Sequence, residues 1–214
     1  MTELSREVPL QPAQSALLII DTQNFCAHPE GAEFRHLSPA ELQAKEGFYF
    51  RQLSEVVLPN IRRLQEVFRA ARMEIVYAVI ESLTKDGRDR SLDYKISGFH
   101  VPPGSWDGRV LDAIAPQGDE IVLPKTSSDV FTSTNIHYLL GNLGIRQVVV
   151  CGLVTDQCVE SAVRHACDLG YLVTLVTEGC TTHSQERHDN SLRAIRGYCR
   201  QRTTAQLLAE LGAH

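Results

Sequence analysis

An α/β fold, with a parallel sheet layered between helices, is the class this sequence predicts, and three observations predict it. Short runs such as Ser15–Asp21 and Glu74–Glu81 are apolar almost throughout, the mark of strands buried on both faces. Stretches with apolar residues three or four apart alternate with those runs. Glycines at 144 and 170 close two of the helical stretches just ahead of the next run. Strands and helices in alternation call for parallel β-α units with helices on both faces, a three-layer α/β/α plan.

Residues 1–14 are polar and are expected to form a loose arm. Ser15–Asp21 is the first strand. Thr22–Phe50 has no clear period and holds Pro29, Gly31, Pro39 and Gly47, so it reads as loop with a short helix near Pro39–Lys45. Leu53–Met73 has helical spacing through Val57, Ile61, Leu64, Val67 and Phe68. Pro59 means that this helix either starts near Leu58 or is kinked. Glu74–Glu81 is the second strand. Ser82–Ser105 is polar, without period, and long for a connection, as loops that carry binding residues are. A helix over Trp106–Ile114 leads to a third strand, Glu120–Leu123. Thr132–Leu143 is helical, Gln147–Cys151 is the fourth strand, and Cys158–Leu169 is the next helix. Tyr171–Thr177 is the fifth strand. Ser184–Tyr198 is a helix with an imperfect capping box. Cys199–Thr203 is a short sixth strand, and Thr204–Leu211 a last helix.

The 214 residues, 43% hydrophobic and 22% charged, suit one domain over 1–214 with a sizeable core. A net charge of −5 without a Lys/Arg cluster argues against a nucleic-acid surface. No apolar run approaches the ~20 residues that span a bilayer. The first ten residues lack a basic region followed by an apolar run, so a cytoplasmic protein is expected. Six cysteines occur without a C-x-x-C pair or zinc spacing. In that compartment they read as free thiols, most of them small apolar fillers.

In parallel sheets, reactive groups collect beyond the carboxyl ends of the strands. Asp21, Lys125 and Cys158 each fall at or just past such an end. Cys158 follows G-L-V-T-D-Q at the first turn of its expected helix, where free amides and the helix dipole favour a thiolate. Asp21 ends an apolar run, a costly place for a carboxylate unless it is paired. As a general base it would take the thiol proton and later deliver it to a leaving amine. Lys125 beside them would hold the carboxylate ionised and favour thiolate. The plainer readings are a filler cysteine, a capping aspartate and an exposed lysine.

Three pieces, L-L-I-I-D-T-Q-N-F (Leu17–Phe25), V-L-P-K-T-S-S-D-V-F (Val122–Phe131) and C-G-L-V-T-D-Q-C-V-E-S-A (Cys151–Ala162), together resemble the isochorismatase-like cysteine hydrolase family. That family includes nicotinamidases, carbamoylsarcosine amidohydrolases, biuret hydrolases and ureidoacrylate amidohydrolases. The resemblance runs from Ala16 to Tyr198 and looks nearest to the ureide-cleaving branch. It implies a six-stranded, Rossmann-like parallel sheet and a triad of Asp21, Lys125 and Cys158. It also implies a cis peptide between Leu153 and Val154, aiming the Val154 amide, with that of Cys158, at the substrate oxygen. The implied reaction is C–N hydrolysis of a small amide or ureide through a cysteine thioester, with release of ammonia or an amine. A vinyl-ether hydrolase of the isochorismatase type and a catalytically silent binding relative are the alternatives.

Nicotinamidases of this family carry an Asp-x-His beside the pocket. The corresponding loop here has none, and His100 stands alone in it. No catalytic metal and no cofactor are therefore expected, and His28, His137 and His183 read as surface or packing residues. Gln23 and Phe25, just past Asp21, are candidates to line the pocket, as is Gln157. Glu81, Arg88 and Arg90, in or beside the long loop, are candidates to read a ureide or carboxylate, since an arginine fork fits a planar carboxylate. The resemblance further implies a homo-oligomer, dimer or tetramer, with Phe131 and the Tyr138–Leu143 face as candidate contacts.

Overall fold

The structure, a computed structural model, describes residues 4–212. Its sheet is built from β1 (Ser15–Ile20), β2 (Glu74–Ile80), β3 (Ile121–Lys125), β4 (Gln147–Leu153), β5 (Leu172–Thr181) and β6 (Arg200–Arg202). The order is β3-β2-β1-β4-β5-β6, and every pairing is parallel. The connections carry α1 (Asn24–Ala27), α2 (Pro39–Gln52), α3 (Leu58–Ala70), α4 (Leu92–Ile96), α5 (Val130–Ser133), α6 (Ile136–Asn142), α7 (Glu160–Asp168), α8 (Gln185–Ile195) and α9 (Thr204–Glu210). No helix among the described residues is long and apolar enough to cross a membrane.

Every residue of β1 and β4 is buried, which is why both read as continuous apolar runs. Helix α3 turns Ile61, Leu64 and Phe68 onto the sheet and packs with α9. Helix α7 does the same with Ala162, Val163 and Ala166, beside α5 and α8. The chain steps outward from β1 to β3, then returns to lay β4 on the other side of β1. That reversal opens a crevice beyond the carboxyl ends of β1 and β4, where parallel sheets of this plan bind ligands. Pro124 is accommodated because β3 is an edge strand.

Several expectations are corrected. The Thr22–Phe50 segment contains the fourteen-residue α2, opened by a full capping box between Ser38 and Glu41. Only Tyr49 of α2 is buried, so almost no apolar period marks it. A single π turn, Leu53–Val57, joins α2 to α3. Pro59, which has no N–H to give, sits at the start of α3 where the hydrogen-bond ladder has just shifted. Trp106–Ile114 is two separate 3-10 turns around an extended Arg109. This stretch pairs instead with the chain after β1, through Asn24 N to Arg109 O and Leu111 N to Thr22 O. The helix expected over Thr132–Leu143 is broken into α5 and α6 at Thr134, whose hydroxyl donates to the Val130 carbonyl and accepts from the Ile136 amide. The polar loop after β2 contains the short helix α4, capped by Ser91.

The N-terminal arm is not loose from Glu7 onward. Glu7 pairs with Arg202, Leu10 enters the core, and the Gln147 side chain binds both Gln11 N and Pro9 O. Residues 1–3 of that arm lie outside the described residues. Phe131 is buried within the chain against His165 and Tyr171, so it is not available as a contact between subunits. Tyr138 is exposed.

Candidate active site

Three strand ends build the site. β1 ends at Ile20, and Asp21 turns the chain sharply with a φ of 52°, a left-handed conformation that aspartate tolerates better than bulkier residues. Its amide still pairs with Ala78 O of β2, at 2.8 Å. Lys125 is the last residue of β3, in register with Ile80. β4 runs through Gly152 to a cis peptide between Leu153 and Val154, then into a π turn, Thr155–Val159, that carries Cys158. Cys158 thus lies within a π turn continuous with α7 and not at the first turn of an α-helix.

Lys125 is fully buried, and an ammonium has three protons to place. They go to Tyr94 Oη at 2.9 Å, to the Ser127 carbonyl at 3.0 Å and to Cys158 Sγ at 3.5 Å. Lys125 Nζ also lies 3.0 Å from Asp21 Oδ2. That ion pair and the neighbouring Cys158 thiol both help to hold the carboxylate ionised.

Burial is the largest influence on all three groups. It raises the Asp21 carboxyl above its ordinary value, against the opposing pull of Lys125. It pushes the Cys158 thiol up to about 12, with Lys125 pulling down and Asp21 pushing up. The Lys125 ammonium is nonetheless held well above its usual range, because Asp21, Cys158 and Tyr94 together outweigh its desolvation. Desolvation in this closed site thus works against the thiolate that Lys125 favours.

Asp21 and Cys158 open on a small cavity of about 80 Å³, lined also by Val154, Gln157, Glu33, Tyr49, Phe99 and His183. Of the proposed substrate-binding residues, only Gln157 lines it. Gln23 is spent on structure, its amide bonding Ile80 N, Ile80 O and Asp107 O. Phe25 packs behind the wall against Phe99. Glu81 accepts from Gly104 N, and exposed Arg88 pairs with Asp86. Arg90 bonds the carbonyls of Gly87 and Phe99, so it braces the wall without facing the cavity.

Sequence reasoning missed Tyr94, Phe99, Glu33 and Tyr49; His183, expected as a surface or packing residue, stacks on Tyr49, bonds Glu46 and also lines the cavity. The first two come from the long loop after β2, whose length was the one available signal. The others arrive from segments whose path back to the sheet edge leaves no periodic trace.

The family profile of the isochorismatase domain matches residues 15–206. A ureidoacrylate amidohydrolase, RutB of Rhizobium rhizogenes, is 26% identical over 192 residues, covering 82% of this chain and 73% of that one. Among solved structures, a cysteine hydrolase from Pseudomonas syringae pv. phaseolicola aligns with a TM-score of 0.79 at 20% identity, over 99% of both chains. An N-carbamoylsarcosine amidase from Thermoplasma acidophilum aligns with a TM-score of 0.66 at 23% identity, over 89% of this chain and 96% of that one. At such identities the solved structures establish the fold alone. The profile match, by contrast, reaches from the first residue of β1 into α9, and so the chain belongs to the isochorismatase family, a family of hydrolases.

Proposed function

We propose that the protein is an amidohydrolase that cleaves a C–N bond of a small amide or ureide through a thioester on Cys158. The observation that carries this reading is the buried ammonium of Lys125, 3.5 Å from the Cys158 sulfur and 3.0 Å from the Asp21 carboxylate, two groups that line a small cavity. The names of the relatives, an amidohydrolase and an amidase, support it.

Asp21 takes the Cys158 proton as the substrate carbonyl arrives. The sulfur bonds to the carbonyl carbon, and the negative charge moves to the carbonyl oxygen. The main-chain amides of Val154 and Cys158 are the groups assigned to that oxygen, where one donor is worth about 3 kcal/mol of barrier. The C–N bond then breaks, and Asp21 returns its proton to the leaving nitrogen. A water gives a proton to Asp21 and its oxygen attacks the thioester. The C–S bond breaks, and the sulfur regains its proton. Throughout, Lys125 offsets whichever of Asp21 or Cys158 carries the negative charge.

A panel of small amides and ureides, assayed for ammonia release, tests this. Cys158→Ser and Asp21→Asn are expected to lose at least about a thousandfold in turnover while keeping the fold, and mass spectrometry of the quenched wild type should find the acyl group on Cys158. Full turnover by Cys158→Ser would end the covalent reading. Activity that survives alkylation of Cys158 would point to vinyl-ether hydrolysis.

A further inference from the structure

The cavity has a second wall that the reaction above does not use. Glu33 lies in the turn after α1, and its amide is tied to Phe25 O at 3.4 Å. Its carboxyl group lines the cavity half-buried, and no described residue supplies it with a hydrogen bond or an ion pair. Its neighbour Glu46 is already committed, bonded to His183 Nδ1 at 2.7 Å. Tyr49 is committed as well, its hydroxyl donating to Cys26 O at 2.7 Å. Burial, Glu46 and Asp21 together push the Glu33 carboxyl up to about 7.

No arginine or lysine lines the cavity. Lys125 is not part of its lining and is held by Tyr94, Ser127, Cys158 and Asp21. Arg88 and Arg90 are engaged elsewhere. A carboxylate entering this space would meet Glu33 and no arginine or lysine on the cavity wall. An amino or amide group would find an acceptor with no other partner.

Resting on the amidohydrolase reading, we propose that Glu33 is the specificity-determining residue of the pocket. It accepts hydrogen bonds from the end of the substrate remote from the scissile carbonyl. It selects substrates that carry an amine or an uncharged amide there, and it rejects those that end in a carboxylate.

Three probes with one carbamoyl head test this: N-carbamoylglycine, which is anionic, N-carbamoylglycinamide, which is neutral, and N-(2-aminoethyl)urea, which is cationic. Their kcat/KM values are measured on the wild type, and their binding to the Cys158→Ser protein is measured by calorimetry, both at about pH 8.5, where a carboxyl pushed up to about 7 is ionised. The neutral and cationic probes are expected to exceed the anion by about tenfold or more in both. Glu33→Gln, with folding checked by circular dichroism, should bring the cation and the anion to near parity. Glu33→Arg should invert their order. A wild-type preference for the anion, an unchanged ranking in Glu33→Gln, or no binding of the neutral and cationic probes at millimolar concentration overturns the proposal. Binding in the expected order without turnover or an acyl adduct would sink the thioester reading and uphold the role of Glu33.

Discussion

A thiol pushed up to about 12 is a poor nucleophile until something takes its proton, so at rest Cys158 guards its own reactivity. The expected consequence is slow alkylation of the free protein. By site-resolved mass spectrometry, iodoacetamide should modify Cys158 at neutral pH about a thousandfold more slowly than free cysteine. The rate should climb about tenfold per pH unit beyond the point where free cysteine levels off. A plateau near neutrality would mean that Lys125 wins over burial and the thiol is ionised at rest. Cys26 lines the same cavity and is also held protonated by burial, which is why the measurement must resolve the site. Glu33 gives a second pH prediction, of opposite practical sign. Its carboxyl moves from an ordinary 4.5 to about 7 on folding, through burial and its neighbours Glu46 and Asp21. Between those values the native state holds a proton that the unfolded chain has lost, so stability falls as pH rises through that window, by at most about 3 kcal/mol. Glu33→Gln should remove that slope and be the more stable protein above pH 7 in urea titrations. An unchanged slope would mean that the Glu33 carboxyl titrates alike in both states.

At the scale of elements, the site depends on how closely β4 approaches β1. Gly152 has a φ of 120°, and a Cβ there would sit 2.1 Å from Ile20 O, a backbone atom that cannot swing aside. Gly152→Ala should therefore cost more than about 3 kcal/mol, because β4 must leave β1 or break register. Gly170 also has positive φ, at 91°, but open space around its Cβ direction. Gly170→Ala should cost only about 1 kcal/mol. Equal losses in the two variants, measured in urea, would remove the steric account. The same contrast explains what the sequence made legible. β1 and β4 are buried at every position, so both strands, with Asp21 and Cys158 beyond their ends, could be read from apolar runs, whereas Lys125 closes the short and only partly buried β3. α2 buries only Tyr49, so its period was invisible, and only the Ser38-x-x-Glu41 capping box announced it. Gln23 and Phe25 were chosen for closeness in sequence to Asp21, but a chain leaving a strand through a left-handed turn sends its next side chains to different places. Tyr94 reaches Lys125, and Glu33 reaches the cavity, by long-range return paths, which no local pattern encodes.

Over the whole molecule, the two edges of the sheet divide the work. At the amino ends, the arm, Gln147 and the Arg200–Glu210 pair knit β1, β4 and β6 together. At the carboxyl ends lie the Asp21–Lys125 pair, Tyr94 and the cavity. Few groups serve both edges, so stability and turnover should be separable by mutation. Leu10→Ala removes a core side chain at the amino edge and should cost about 2–3 kcal/mol, with kcat/KM held within about twofold wherever the protein is folded. Tyr94→Phe removes the oxygen that accepts one Lys125 proton at 2.9 Å. It should cost only about 1 kcal/mol of stability, because the ring keeps its packing. The Lys125 ammonium would then be free to turn toward Asp21, pulling the carboxylate away from its task as a base. That variant should lose at least about tenfold in kcat with KM little changed, the signature of a contact that matters to the reaction more than to binding. Paired urea titrations and steady-state kinetics on both variants decide the matter. If Leu10→Ala lowers kcat/KM in proportion to its stability loss, or Tyr94→Phe turns over like the wild type, the two edges are not independent.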